Sequence, residues 1–130
     1  MGSGTGIGRV RGLGSAKSGT HHWLLQRVTA LGNIVLVTWM VVNLFTLPGL
    51  DYFSVRAWLA APLVAVPMML MLVSAFWHLR LGLQVLVEDY VHEDGLKFAV
   101  LLLLNFYAIG GAALGIFAVA KIAFAPGGAS

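Results

Sequence analysis

One histidine lies where ionisable side chains are rare. His78 follows an apolar run, residues 57–77, that contains no Asp, Glu, Lys, Arg or His. An ionisable group at such a place in a membrane segment is costly and marks a functional position by default. Neutral imidazole is a common axial ligand of haem iron, and Ser74 and Gly82 share its helix face and leave room for a flat macrocycle or another helix. The alternative is an interfacial histidine that hydrogen-bonds to a neighbouring helix.

A second candidate site lies at the end of the same segment. Asp89 and Tyr90 follow His78 in the chain, about 15–18 Å further along a helix axis. A phenol can donate a hydrogen bond to a carbonyl, and a carboxylate can orient that phenol or relay protons. A quinone headgroup at the membrane surface needs such a donor. The alternative is an interfacial tyrosine of the aromatic belt.

A third group of residues opens the first apolar segment. It consists of His21, His22, Trp23 and Arg27. The Arg27 guanidinium could pair with a carboxylate such as a haem propionate. The alternative is a cationic anchor beside an interfacial tryptophan. A metal site made by the two histidines is disfavoured, because adjacent helical residues point in different directions.

Three helices must position these residues. Residues 28–50, 57–77 and 98–120 contain no charged residue and no histidine, and each is about 20 residues long, enough to span the hydrocarbon core as a helix. The sequence predicts an all-α, integral membrane protein with three transmembrane helices over about 22–47, 57–88 and 97–122. Residues 1–20 are predicted to form a flexible basic arm, 21–125 the anchor domain and 126–130 a tail.

Composition and charge support this reading. Hydrophobic residues make up 59% of the chain and charged residues 10%, against about 45–50% and about 25% in soluble domains. The net charge of +3 comes from few basic residues, which mostly flank apolar runs, so a nucleic-acid partner is not indicated. Lys and Arg are more frequent on the cytoplasmic side of membrane proteins. One side of the three spans holds six of them and the other side two: Arg9, Arg11, Lys17, Arg27, Arg80 and Lys97 against Arg56 and Lys121. The N-terminus and the second loop are therefore predicted to be cytoplasmic, and the C-terminus to lie on the opposite side.

Other residues bear on assembly. The absence of cysteine excludes disulfides, covalent haem attachment and iron–sulfur clusters held by this chain. Gly111 and Gly115 form a G-x-x-x-G pair that predicts close helix packing. Buried amides are expected to bond across helices or face a partner; they are Asn33, Asn43 and Asn105.

Two motifs carry a resemblance to a known family. The segment 18–30, SGTHHWLLQRVTA, is similar to the entry into the first helix of the D-type hydrophobic membrane anchor subunits of succinate dehydrogenase (complex II). The pattern His78-x3-Gly82-x6-Asp89-Tyr90 has the spacing of the same family, and residues 12–16 resemble its alphaproteobacterial members. The three-helix layout matches as well, so the resemblance covers nearly the whole chain.

The resemblance implies cofactors, partners and roles. It makes His78 one axial ligand of haem b, shared with a sister anchor, the cytochrome b556 subunit, within a larger helix bundle. Arg27 and His21 would lie near the haem propionates, and Tyr90, with Asp89 beside it, would bind ubiquinone. FAD and iron–sulfur clusters would reside only on the flavoprotein and iron–sulfur subunits, which oxidise succinate and so link the tricarboxylic acid cycle to the respiratory chain.

The same resemblance implies a location and leaves alternatives. The expected site is a bacterial inner membrane with the N-terminus cytoplasmic and the C-terminus periplasmic, or else the mitochondrial inner membrane. The chain would be an enzyme subunit and not an enzyme alone. The alternative functions are the anchor of a quinol:fumarate oxidoreductase and a cofactor-free structural or assembly membrane protein.

Overall fold

The protein is all-helical throughout the part that the structure describes. The structure is a computed structural model that describes residues 17–125. The helices are α1 (Lys17–Thr46), α2 (Tyr52–Ala60), α3 (Pro62–Tyr90) and α4 (Asp94–Ala123), and no strand occurs within these residues. Three helices are long and apolar enough to cross a membrane, over Gly19–Thr46, Pro62–Tyr90 and Asp94–Ala123. The predicted all-α fold with three spans is confirmed.

The helix bounds differ from the prediction at two places. The predicted helix over 57–88 is two helices, because the backbone is extended at Ala61 (φ −68°, ψ 129°) and Pro62 begins α3. A proline disfavours helical backbone in the residue before it but fits the first turn of a new helix. Residues 17–20 of the predicted arm belong to α1, whereas the rest of the arm and the tail 126–130 lie outside the described residues.

α3 is the central helix. α1 packs against α3 and so does α4, but within residues 17–125 no Cα atom of α1 lies within 8 Å of a Cα atom of α4. The short α2 packs against both α3 and α4. A small apolar core forms where α2 meets the spans; Ala65, Met68 and Val119 are buried there, and the rings of Trp39 and Trp58 stack beside them with centroids 6.2 Å apart.

The α3–α4 contact is close because of glycine. A Cβ on Gly111 would collide with the Phe76 ring, and one on Gly115 would lie 2.9 Å from Leu72 Cδ1. These distances are shorter than real Cβ contacts, so glycine at both positions allows the two helices to approach this far without displacing Phe76 or Leu72. The predicted close-packing role of the G-x-x-x-G pair is confirmed.

Candidate functional site

The contact between α1 and α3 is polar around His78. Ser74 and His78 lie one turn apart on α3, and both face Thr29 of α1. The Nδ1 atom of His78 is 3.1 Å from the Thr29 hydroxyl oxygen, and the Ser74 hydroxyl donates to the Thr29 backbone carbonyl at 3.2 Å. The two helices are therefore joined at this level by side-chain hydrogen bonds.

The hydroxyl of Thr29 determines which nitrogen of His78 carries the proton. That hydroxyl donates to the backbone carbonyl of Leu25 at 2.7 Å, with the Gln26 carbonyl at 3.1 Å. Because its single hydrogen is engaged there, its oxygen accepts towards His78, and we assign the proton to Nδ1 from this network. The Nε2 lone pair is then free, which is the form in which histidine binds a metal ion.

Small residues bring the two helices together at the same level. A Cβ on Gly32 would lie 3.3 Å from the Ser74 hydroxyl, and one on Gly82 would lie 3.6 Å from Gln26 Nε2. The Gly32 contact is tight and the Gly82 contact is ordinary van der Waals distance. Gly32 thus contributes more to the approach of α1 to α3, while Gly82 leaves space one turn after His78.

The polar face of α1 extends beyond Thr29 in both directions. His22, Gln26, Thr29 and Asn33 are spaced by four, three and four residues, so they share one face of the helix. Three of their atoms are buried without a hydrogen-bond partner within residues 17–125: His22 Nε2, Gln26 Oε1 and Asn33 Oδ1. Buried polar atoms are costly to leave unpaired, and in native proteins protein groups or ordered water pair them.

His21 and Arg27 lie elsewhere on α1. Arg27 is two residues from Thr29 and so about 200° around the helix from it, where its guanidinium carbon lies 4.5 Å from the centroid of the Trp23 ring. Both His21 and Arg27 are exposed. The structure does not bring either residue to His78; His22 is the histidine of the pair that shares the face of Thr29.

Asp89 and Tyr90 lie at the end of α3 and are exposed; the Tyr90 side chain is 76% accessible. Asp89 comes eleven residues after His78, which places it about 20° from His78 around the helix. Neither Asp89 nor Tyr90 has a hydrogen-bond partner within residues 17–125. Their hydrogen-bonding groups are therefore available to a ligand or to another chain.

The family of the chain follows from its sequence matches. The family model of the succinate dehydrogenase/fumarate reductase transmembrane subunit matches residues 1–112. The chain belongs to this family. The predicted resemblance to the anchor subunits of succinate dehydrogenase is confirmed.

Relatives in Rickettsia resemble the chain over most of its length. The succinate dehydrogenase hydrophobic membrane anchor subunit of Rickettsia bellii is 32% identical over 105 residues, which cover 79% of this chain and 82% of the relative. The protein of the same name from Rickettsia conorii is 32% identical over 104 residues, covering 79% and 82%. The one from Rickettsia felis is 29% identical over 92 residues, covering 71% and 77%.

The residues present fit a single axial ligand to haem in this transmembrane subunit. The fit rests on the Thr29–His78 hydrogen bond, which leaves Nε2 as a donor to iron. Within residues 17–125 no group of three or more His, Cys, Asp or Glu side chains is placed to hold a metal ion.

A hydrogen bond from a charged donor to a neutral acceptor joins the other side of α3 to α4. Arg80 donates from Nε to the side-chain oxygen of Asn105 on α4, and its guanidinium carbon lies 4.9 Å from the centroid of the Trp77 ring. For Asn105, the expected bond across helices is confirmed. Asn43 instead donates within α1 to the Trp39 carbonyl at 2.8 Å, and the Asn33 oxygen has no partner within residues 17–125.

Sequence reasoning also missed the roles of Thr29, Gln26 and His22. Thr29 was part of the family motif, but its contact with His78 joins residues 49 apart in the chain. The signal that could have found these residues is their spacing, which places them with Asn33 on one side of an otherwise apolar helix.

Proposed function

We propose that this chain is the hydrophobic membrane anchor subunit of a succinate:ubiquinone oxidoreductase, that it binds haem b together with a cytochrome b556 sister subunit, and that it contributes to the ubiquinone reduction site. The family match and the names of the Rickettsia relatives support this function. The observation that carries the haem assignment is the hydrogen bond that we assign from His78 Nδ1 to the Thr29 hydroxyl oxygen, because it presents Nε2 as an iron ligand.

His78 of α3 would hold the iron, and residues of α1 would hold the carboxylates. Haem b supplies a one-electron centre inside the membrane when it is bound. We propose Arg27 and His21 for the propionates, since both are exposed and an arginine fork suits a carboxylate. His22, which faces α3, is the alternative to His21.

Tyr90 and Asp89 are proposed for the quinone. The Tyr90 hydroxyl would donate a hydrogen bond to a ubiquinone carbonyl while its ring packs against apolar surface. Asp89, next to it, would orient the phenol or pass protons from water. Reduction to ubiquinol takes two electrons and two protons, so a site at the end of a span, open to water and to an electron-donating subunit, suits the reaction.

The proposed partners follow from the chemistry that this chain lacks. It has no cysteine for iron–sulfur clusters, so the flavoprotein and iron–sulfur subunits would oxidise succinate with FAD and clusters and deliver electrons. We propose that they dock at the α3–α4 loop, on the cytoplasmic side of a bacterial inner membrane. Large apolar side chains of all three spans are exposed, such as Phe45, Leu63 and Phe117, and lipid and the sister subunit would cover them.

The test is purification in mild detergent through a tag on this chain, followed by a reduced-minus-oxidised spectrum. We expect the flavoprotein, iron–sulfur and sister subunits to co-purify with a low-spin b-type haem. His78→Leu should abolish or alter that spectrum, because the iron loses one ligand. Succinate oxidation with a soluble dye should survive, because that chemistry belongs to other subunits.

His92→Leu is the matched control, since His92 is an exposed histidine beyond the end of α3. An unchanged spectrum in His78→Leu would refute the ligand assignment. A complex without haem would favour the cofactor-free alternative, and faster quinol–fumarate than succinate–quinone turnover would favour the fumarate reductase alternative. We expect the chain expressed alone to bind no haem stably.

A further inference from the structure

Two cationic side chains converge on one cavity at the end of the molecule opposite Tyr90. Arg56 from α2 and Lys121 from the last turn of α4 both line a cavity of about 370 Å3. Tyr52 contributes the phenol ring of the same cavity, and Ala118 and Ile122 are among its apolar walls. The two positive charges thus come from separate helices but face the same space.

No acidic side chain within the described residues neutralises this pair. Neither the Arg56 nor the Lys121 side chain has an ion pair or a hydrogen bond within residues 17–125. Asp51 is the one acid outside residues 88–94, and it lines an adjoining cavity of about 270 Å3 but not the cavity that contains Lys121. Its carboxylate already accepts from the backbone N–H of Phe53 and Ser54 and from the Ser54 hydroxyl.

The walls of the two cavities are apolar and continuous. The adjoining cavities share Tyr52, Arg56 and Ile122. Beyond these shared residues, the apolar wall consists of Leu50, Val55, Leu59, Ala118 and Ala125. A space with cations and a phenol on one side and aliphatic walls on the other, at the end of the spans, matches an amphiphile with an anionic headgroup.

The position of these two cations on the chain is unusual. Six of the eight Lys and Arg residues fall on the side of the N-terminus, and the charge bias of membrane proteins disfavours cations on the other side. Arg56 and Lys121 are the two that remain there, and both line the same cavity. Their convergence indicates a ligand whose charge they complement.

We propose that Arg56, Lys121 and Tyr52 bind the phosphate group of an anionic phospholipid, such as phosphatidylglycerol, whose acyl chains lie against the apolar walls of the cavity. The site is separate from His78 and Tyr90 and does not depend on the haem or quinone assignments. Each Lys or Arg near an anionic lipid surface contributes about 1 kcal/mol. Removing both cations is therefore expected to weaken lipid binding about 30-fold, which corresponds to about 2 kcal/mol.

The test measures lipid on the complex purified through this chain. Native mass spectrometry should detect retained phosphatidylglycerol on the wild type and little on Arg56→Gln/Lys121→Gln. Titrated phosphatidylglycerol should raise the melting temperature of the wild type, while phosphatidylcholine should not. If the double variant fails to assemble, Lys121→Gln alone should weaken the titration about fivefold, since Lys121 is exposed.

The matched control is Lys17→Gln/Lys97→Gln, which removes the same charge from the other side and should retain the lipid. Arg56→Lys/Lys121→Arg, which keeps both charges, should retain it too. The haem spectrum should be the same in all variants. Equal lipid retention in Arg56→Gln/Lys121→Gln and the wild type would overturn the proposal. Equal stabilisation by inorganic phosphate alone would also overturn it, because the site would then bind a free anion and not a lipid.

Discussion

The contacts of α3 with α1 and with α4 are made by different kinds of interaction. On the side of α1, hydroxyl and imidazole groups meet at Thr29, Ser74 and His78, and three polar atoms on α1 are buried without partners within residues 17–125. On the side of α4, Gly111 and Gly115 pack so closely against Phe76 and Leu72 that a Cβ on either glycine would lie within 3.0 Å of those side chains. One contact is held by directed hydrogen bonds and the other by packing.

This difference suggests that the α3–α4 contact stabilises the subunit, whereas the α1–α3 contact serves ligand binding. Close packing in a membrane provides dispersion contacts without any unpaired polar group. The polar contact leaves groups whose pairing is incomplete within residues 17–125, and such groups are costly unless another molecule satisfies them. We therefore expect substitutions on the α4 side to act on assembly and those on the α1 side to act on the cofactor.

The largest effect is expected for Gly111→Leu. A side chain there collides with the Phe76 ring, and overpacking of this kind typically costs about 1–3 kcal/mol. The melting temperature and yield of the purified complex should fall sharply.

Gly110→Leu is the matched control, because a Cβ on Gly110 meets nothing within 4 Å. Its stability should stay near that of the wild type. If the two variants are equally stable, the packing role of the α3–α4 contact is wrong.

Thr29→Val tests the polar side at nearly constant volume. It removes the hydroxyl that accepts from His78 Nδ1, so the imidazole is no longer fixed in one tautomer. Loss of such a supporting bond typically weakens metal binding about 10–100-fold. Haem per complex should fall on dilution in detergent, and the haem potential should shift.

Thr38→Val serves for comparison, because Thr38 is exposed on α1 and has no hydrogen-bond partner within residues 17–125. Thr29→Ser keeps the acceptor and should restore haem binding. Haem content and potential that are unchanged in Thr29→Val would show that the polar contact is only structural.

Tyr90→Phe tests whether the end of α3 contributes to quinone reduction. The change removes one hydrogen-bond donor and keeps the ring, which should cost about 1–3 kcal/mol in a partly buried site. Succinate–quinone turnover would fall about tenfold to a hundredfold, while haem content and dye-coupled succinate oxidation stay near normal. Asp89→Asn should also slow turnover, by an amount that depends on whether Asp89 orients Tyr90 or relays protons.

Tyr107→Phe, on the exposed surface of α4, should turn over quinone as the wild type does. Unchanged turnover and quinone affinity in Tyr90→Phe would make Tyr90 an interfacial anchor only.

The smallest effect is expected at Asp51, which caps α2 beside the packed α3–α4 side. Hydrogen bonds from the hydroxyl and backbone N–H of Ser54 hold the pKa of Asp51 below its usual value. A lowered pKa in the folded state means that the cap stabilises above the pKa of the unfolded chain, and that this contribution is lost as pH falls through the folded value. Asp51→Asn should lower the melting temperature slightly at neutral pH, and the difference should vanish in acid. A difference that persists in acid would contradict the role of the ionised cap.

The sequence predicted correctly those features of the fold that depend on local composition and spacing. The spans followed from runs without charge, and the packing of Gly111 and Gly115 followed from their spacing. The break before Pro62 did not, because Pro67 has the same chemistry and lies inside α3. Which proline begins a helix depends on how α2 packs against α3 and α4.

The candidate site was predicted only in its individual residues. His78 was identified by its cost in an apolar segment, but its partner Thr29 was not, because that contact depends on how two distant helices are rotated. The same rotation makes His22 face α3 and leaves His21 exposed, which adjacent positions in a sequence cannot distinguish. The roles of Tyr90, Asp89 and Arg27 stay predictions.

The separation of the α1 and α4 backbones, which have no Cα atoms within 8 Å of each other in residues 17–125, has a consequence for biosynthesis. A ribosome completes α1, α2 and α3 before it makes α4. Thr29, Ser74 and His78 can therefore meet as soon as α3 has entered the membrane, and α4 then adds to a helix whose other side is already occupied. The polar contact can thus form while the last span is still being translated.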